Sequence, residues 1–112
     1  MMHIETRTEK DTLIVTVKGE LDLVIAEKFK ITVEEALERS RAKNLVLDLE
    51  GVSFIDSSGL GAILGRYKTV TGQHGSMSIV NPQAPVKKIL ELSGILRILT
   101  IHQDMTSALA AM

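Results

Sequence analysis

The spacing of hydrophobic and polar positions changes several times along the chain. Residues 12–18 alternate strictly, with Leu13, Val15 and Val17 on one side and Thr12, Ile14, Thr16 and Lys18 on the other. A period of two with many β-branched residues predicts a strand. Residues 2–8 read as an edge strand ahead of it, joined through a turn at Glu9-Lys10-Asp11. Gly19-Glu20-Leu21-Asp22 ends the second strand, and from 24 to 41 the period becomes helical. Ala26, Phe29, Val33, Ala36 and Leu37 share one face, while Glu27, Lys28, Glu34, Glu35 and Glu38 fall largely elsewhere, as a solvated face.

Residues 44–49 are nearly continuous in apolar character (Leu45, Val46, Leu47, Leu49), which suits a central strand covered on both faces. Phe54-Ile55 lead into Asp56-Ser57-Ser58-Gly59, and Leu60, Ile63, Leu64 and Tyr67 follow at the spacing of a second helix, ended by Gly72 to Gly75. Residues 77–80 form a strand. Pro85 suits the start of a third helix with Val86, Ile89, Leu90 and Leu92 as its apolar positions and Gly94 just past its end. Residues 98–101 read as the last strand, and Asp104 as the cap of a terminal helix running toward Met112. The order β-β-α-β-α-β-α-β-α predicts an α/β fold: a mainly parallel sheet of about four to five strands packed with about four helices, in one domain spanning residues 1–112.

Composition narrows the function. With 45% hydrophobic and 24% charged residues, the 112-residue chain has the balance of a globular domain. A net charge of −1 argues against nucleic acid as a partner, because binding a phosphate backbone needs a clustered basic surface. At 3% aromatic residues there is little to build a base-stacking platform. The absence of cysteine excludes disulfides, thiol catalysis and thiolate-bound zinc. Met1 to Glu5 lack a basic stretch followed by an apolar core, and no apolar run approaches a membrane span. The expected location is the cytoplasm, with no membrane partner. His3, His74 and His102 are far apart and lack metal-ligand spacing, so no metal is expected.

The chemistry concentrates in Asp56-Ser57-Ser58-Gly59-Leu60-Gly61, where a buried strand turns into a helix. The first amides of that helix lack intrahelical acceptors, and its dipole places partial positive charge there, which favours a phosphate. A phosphoserine would add about −1.5 to −2 charges and three acceptor oxygens. Simple capping is the competing account, since aspartate and serine are preferred N-caps. Gly61 and Gly65 lie on one helical face near Ser58 and Ala62. Each glycine costs about 0.8–1 kcal/mol relative to alanine, so something approaches closely, either the neighbouring strand or a partner protein. The glycines do not match G-x-G-x-x-G, G-x-x-x-x-G-K-[ST] or G-x-S-x-G. Neither a nucleotide cofactor nor an activated nucleophile is therefore expected, and the chain does not read as an enzyme.

The run from Phe54 to Lys68 resembles the signature of the anti-sigma-factor antagonists, the STAS-domain family, and is most similar to its sporulation branch. The resemblance extends to Gly19-Glu20-Leu21-Asp22, to residues 44–49, to Val86-Lys87-Lys88 and to Ser93-Gly94. It implies the STAS fold and a partner-switching role. The unmodified antagonist binds an anti-sigma factor that is also a serine kinase, and so frees the sigma factor. The kinase phosphorylates Ser57, the modified form lets go, and a serine phosphatase of the PP2C type resets it. The implied partner surface comprises Glu20, Asp22, Asp56, Ser58, Gly59, Gly61 and Gly65, on a chain that is monomeric when free. Sporulation control is the implied setting, with general stress response or a scaffold role in a signalling complex as alternatives. Leu23-Val24-Ile25 depart from the polar residues of some relatives, and read either as core or as partner surface.

Overall fold

The computed structural model describes residues 3–112, so Met2, where the first strand was expected to begin, lies outside the described residues. The strands are β1 (His3–Glu9), β2 (Thr12–Leu21), β3 (Asn44–Ile55), β4 (Met77–Val80) and β5 (Thr100–His102). The helices are α1 (Leu23–Ser40), α2 (Ser57–Gly72), α3 (Ala84–Ser93) and α4 (Met105–Ala110), with a 3-10 turn at Ile95–Arg97. The five strands lie in sequence order in one sheet. β1 runs antiparallel to β2, and the other neighbours are parallel. The mainly parallel α/β arrangement is the one the patterning predicts.

The alternation in β2 divides the protein into two layers. Leu13, Val15 and Val17 join Leu45, Leu47, Leu49 and Ile79 in the main core, together with Phe29, Val33, Ala36 and Leu37 of α1, Ile63 and Val70 of α2, and Val86 and Leu90 of α3. Ile14, Val46 and Val80 face the other way and are covered by Ala108, with Met105, Leu109 and Met112 around it. The central strand is thus buried on both faces, as its continuous apolar run requires. Asp104 caps α4 as expected, its Oδ1 accepting from Ser107 N at 2.7 Å. Gly94, at φ 83°, takes the left-handed position past α3 that disfavours a side chain. Among the described residues no helix is long and apolar enough to cross a membrane.

The structure departs from the patterning in four places. β3 continues to Ile55, well past residue 49. Its register against β2 shifts twice, between Thr16 and Lys18 and again between Gly19 and Glu20, each time taking one extra residue on β3. Each bulge flips the phase of the side chains. Leu49, Val52 and Ile55 are therefore all buried although they are three apart, a spacing that does not read as a strand. β2 likewise runs on to Leu21 alongside it. The last strand is Thr100–His102, because the 3-10 turn takes up Ile95–Arg97 and leaves Ile98 exposed at its end. Leu92 is 78% exposed, so it does not belong to the buried face of α3.

Candidate functional site

Parallel pairing brings the C-terminal ends of β2 and β3 side by side, with Glu20 opposite Phe54 and Leu21 opposite Ile55. Each strand is followed by one aspartate and then a helix. Asp22 caps α1, its Oδ1 accepting from Ile25 N at 3.2 Å. Asp56 caps α2, its Oδ1 accepting from Gly59 N at 3.0 Å. The second oxygen of Asp56 crosses to the other helix and accepts from Leu23 N at 3.1 Å. Two helix N-termini therefore open at one edge of the sheet, outside the carboxyl ends of the parallel strands, where α/β folds place their sites. Partial positive charge from both helices collects there.

Ser57 is the first residue of α2 and is exposed at this edge. Ser58 is half-buried one position on. Glu20 is exposed on β2 beside Phe54, itself an exposed aromatic. Asp22 and Asp56 are both half-buried. The triplet after Asp22 divides. Leu23 and Val24 stand 72% and 79% exposed, and Ile25 packs against the main core. An apolar rim made of Leu23, Val24 and Phe54 thus accompanies the acidic residues around Ser57.

The glycines also divide. Gly59 is buried, and a Cβ on it would fall 2.3 Å from the Leu21 carbonyl oxygen and 2.8 Å from Ile55 Cγ1. The neighbouring strand accounts for this glycine, which lies beneath the site rather than on its surface. Gly61 is exposed and Gly65 half-buried, and a Cβ at either would meet nothing within 4 Å beyond the helix's own backbone. The strand therefore does not account for these two. Gly61 borders two grooves. One, of about 260 Å³, is mostly apolar and lies between α2 and the segment after α3, against Leu60, Leu64, Ile95 and Ile98. The other, of about 310 Å³, lies between α1 and α2 over Gly65, with Arg66 and Lys30 in its wall.

Two features of this region are not visible in the patterning. Arg66 is almost wholly buried, with Glu34 Oε1 2.6 Å from its Nε, and the same oxygen accepts from the Thr69 hydroxyl at 2.9 Å. Glu34 is therefore not part of the solvated face of α1, unlike Glu35 and Glu38, which are exposed. The four-residue spacing of Gly61, Gly65 and Thr69 marks the stripe facing α1, but only the packing of α1 on α2 brings Glu34 to Arg66. His3 pairs with Glu5 at 2.8 Å on β1, and the other two histidines lie on separate segments. Among the described residues no group of three or more metal-ligating side chains forms.

Residues 3–108 match the model of the STAS domain. The chain is 36% identical to an anti-sigma F factor antagonist of Paenibacillus polymyxa over 108 residues, 96% of this chain and 92% of that protein. It is 30% identical to an anti-sigma F factor antagonist of Lysinibacillus sphaericus over 95 residues, 84% of this chain and 81% of that one. Among solved structures it resembles the Bacillus cell fate determinant SpoIIAA in its phosphorylated form, with a TM-score of 0.76 and 22% identity, covering 98% of this chain and all of that one. At that identity the structural likeness is one of fold.

Proposed function

The chain belongs to the STAS-domain family of anti-sigma-factor antagonists, and from that premise we propose that it is a phosphorylation-switched one. In its unmodified form it binds an anti-sigma factor that is also a serine kinase, and so releases the sigma factor. Phosphate on Ser57 ends that binding, and a PP2C-type serine phosphatase restores it. The setting is sporulation control in the cytoplasm, and the free antagonist is a monomer.

The observation that carries this reading is the placement of Ser57. It is an exposed hydroxyl on the first residue of α2, at an edge where two helices begin. A kinase can reach it, and the fold can carry the phosphate there because helix N-termini favour negative charge. Asp22 and Asp56 stand at the two caps beside it. In the open they cost a phosphate little. Under a docked partner, where water is displaced, like charges repel far more strongly. The exposed Leu23, Val24 and Phe54 supply apolar contact area around the switch.

The experiment is phosphorylation of the full chain by its cognate anti-sigma kinase with ATP, read by mass spectrometry. One phosphate is expected, mapped to Ser57 and absent in Ser57→Ala. A phosphate on Ser58, or none on the wild type, would overturn the reading.

A further inference from the structure

Arg66 and the two open glycines remain without a purpose in the switch. Gly61 and Gly65 cost α2 about 0.8–1 kcal/mol each relative to alanine, and no neighbour in the fold requires either of them. Together with Ala26, Ser58 and Ala62 they leave the groove between α1 and α2 lined by small residues. The Arg66 side chain, 7% exposed, forms part of its wall. Its contact with Glu34 is a close approach of charges without the alignment of a hydrogen bond, so Nε and Nη1 are both buried without an acceptor. Glu34 Oε1 already serves Thr69. Buried guanidinium donors left unused are costly, and they are retained where something else supplies the acceptor.

We propose that this groove is a subsite for a carboxylate carried by the anti-sigma factor, received by Arg66 and Lys30 over the bare backbone of Gly61 and Gly65. The inference rests on the proposed role as an antagonist of such a factor, and it names the chemistry of part of the partner surface. A planar guanidinium matches a carboxylate through two parallel hydrogen bonds. Lys30, exposed on α1, adds a second positive charge at the rim. Glu27 shares that rim, so a free small acid gains little there, whereas a docked surface can hold its carboxylate on the Arg66 side. Ser58 lines the same groove, which makes it continuous with the edge that carries Ser57. The glycines let the partner approach to backbone distance.

The test is calorimetric titration of the full chain with its cognate anti-sigma factor at two salt concentrations. Gly65→Ala is expected to melt at or above the wild-type temperature and yet to bind about tenfold more weakly or worse. Arg66→Lys keeps a cation beside Glu34 but loses the planar fork, and a loss of similar size is expected. Lys30→Ala, at an exposed position, is expected to lose a few-fold in affinity and to flatten the salt dependence. Should Arg66→Lys fail to fold by circular dichroism, the other two variants decide. Gly65→Ala and Lys30→Ala both within twofold of wild type would overturn the subsite. Ser57→Asp, run alongside, separates the two claims. Lost binding in that variant with wild-type binding in the groove variants overturns the subsite and spares the switch. A wild-type chain that does not bind the anti-sigma factor overturns both.

Discussion

The carboxylate of Asp56 closes the first turns of two helices at once: Oδ1 accepts from Gly59 N, and Oδ2 accepts from Leu23 N across 33 positions of sequence. The edge that presents Ser57 is thereby tied to the start of α1. Losing an N-cap costs about 0.5–2 kcal/mol, and a second hydrogen bond contributes about 1 kcal/mol more. Asp56→Ala is expected to lower the unfolding free energy in urea by about 1.5–3 kcal/mol. Asp56→Asn keeps one carbonyl oxygen and turns an amide donor toward the other N–H, so it is expected to fall in between. An Asp56→Ala chain as stable as the wild type would show that neither bond matters.

Gly59 and Gly61 are two residues apart and are expected to respond in opposite directions. A methyl on Gly59 would overlap the Leu21 carbonyl and the Ile55 side chain. Overpacking of this kind costs about 1–3 kcal/mol, and here it pushes on the turn between β3 and α2. A methyl on Gly61 meets nothing, so Gly61→Ala gains helix propensity of about 0.8–1 kcal/mol. Urea denaturation of the two variants gives both signs. A stabilised Gly59→Ala or a destabilised Gly61→Ala would contradict this account of α2.

Much of this site is legible in the chain because its determinants are local. Asp56-Ser57-Ser58-Gly59 carries its own capping chemistry, and the strand-to-helix change on either side locates it. The phase of β2 is equally local, and it assigns Leu13 and Ile14 to opposite layers. What escapes the sequence is set by tertiary pairing. Two register shifts scramble the alternation of β3 after Leu49. The fate of the glycines depends on which element passes by: Gly59 meets Leu21, while Gly61 and Gly65 meet nothing. Glu34 looks like any carboxylate on a solvated helix until α2 brings Arg66 to it.

Asp104 gives the second layer a dependence on pH. The backbone hydrogen bond from Ser107, followed by the bond from its side chain, holds the Asp104 carboxyl below its ordinary value. A depressed carboxyl stabilises the folded state above the unfolded-state pKa, and that contribution is lost as pH falls through the lower folded value. The cap on α4 is thus intact at neutral pH and weakens in acid, loosening Ala108 from Ile14, Val46 and Val80. The Ser107 amide shift, followed by NMR, is expected to titrate with a midpoint below the usual aspartate range in the wild type and to show no such step in Asp104→Asn. A midpoint above that range would reverse the sign and contradict the cap.

Release by phosphate is expected to be a loss of binding in a chain that stays folded. Ser57 is exposed on the first residue of α2. A negative charge there gains about 0.3–1 kcal/mol from the helix terminus, and it is opposed by the Asp22 and Asp56 carboxylates nearby. In water these effects are small and of opposite sign, so Ser57→Asp is expected to change folding stability by no more than about 0.5 kcal/mol, the usual range for a surface substitution. Against a docked partner the water is gone and the repulsion is no longer screened. Thermal melting and calorimetry on the same preparation separate the two effects. An unchanged melt with strongly weakened binding to the anti-sigma factor is the expected pair. A melt lowered by many degrees would make release a consequence of unfolding, and undiminished affinity would remove Ser57 from the switch.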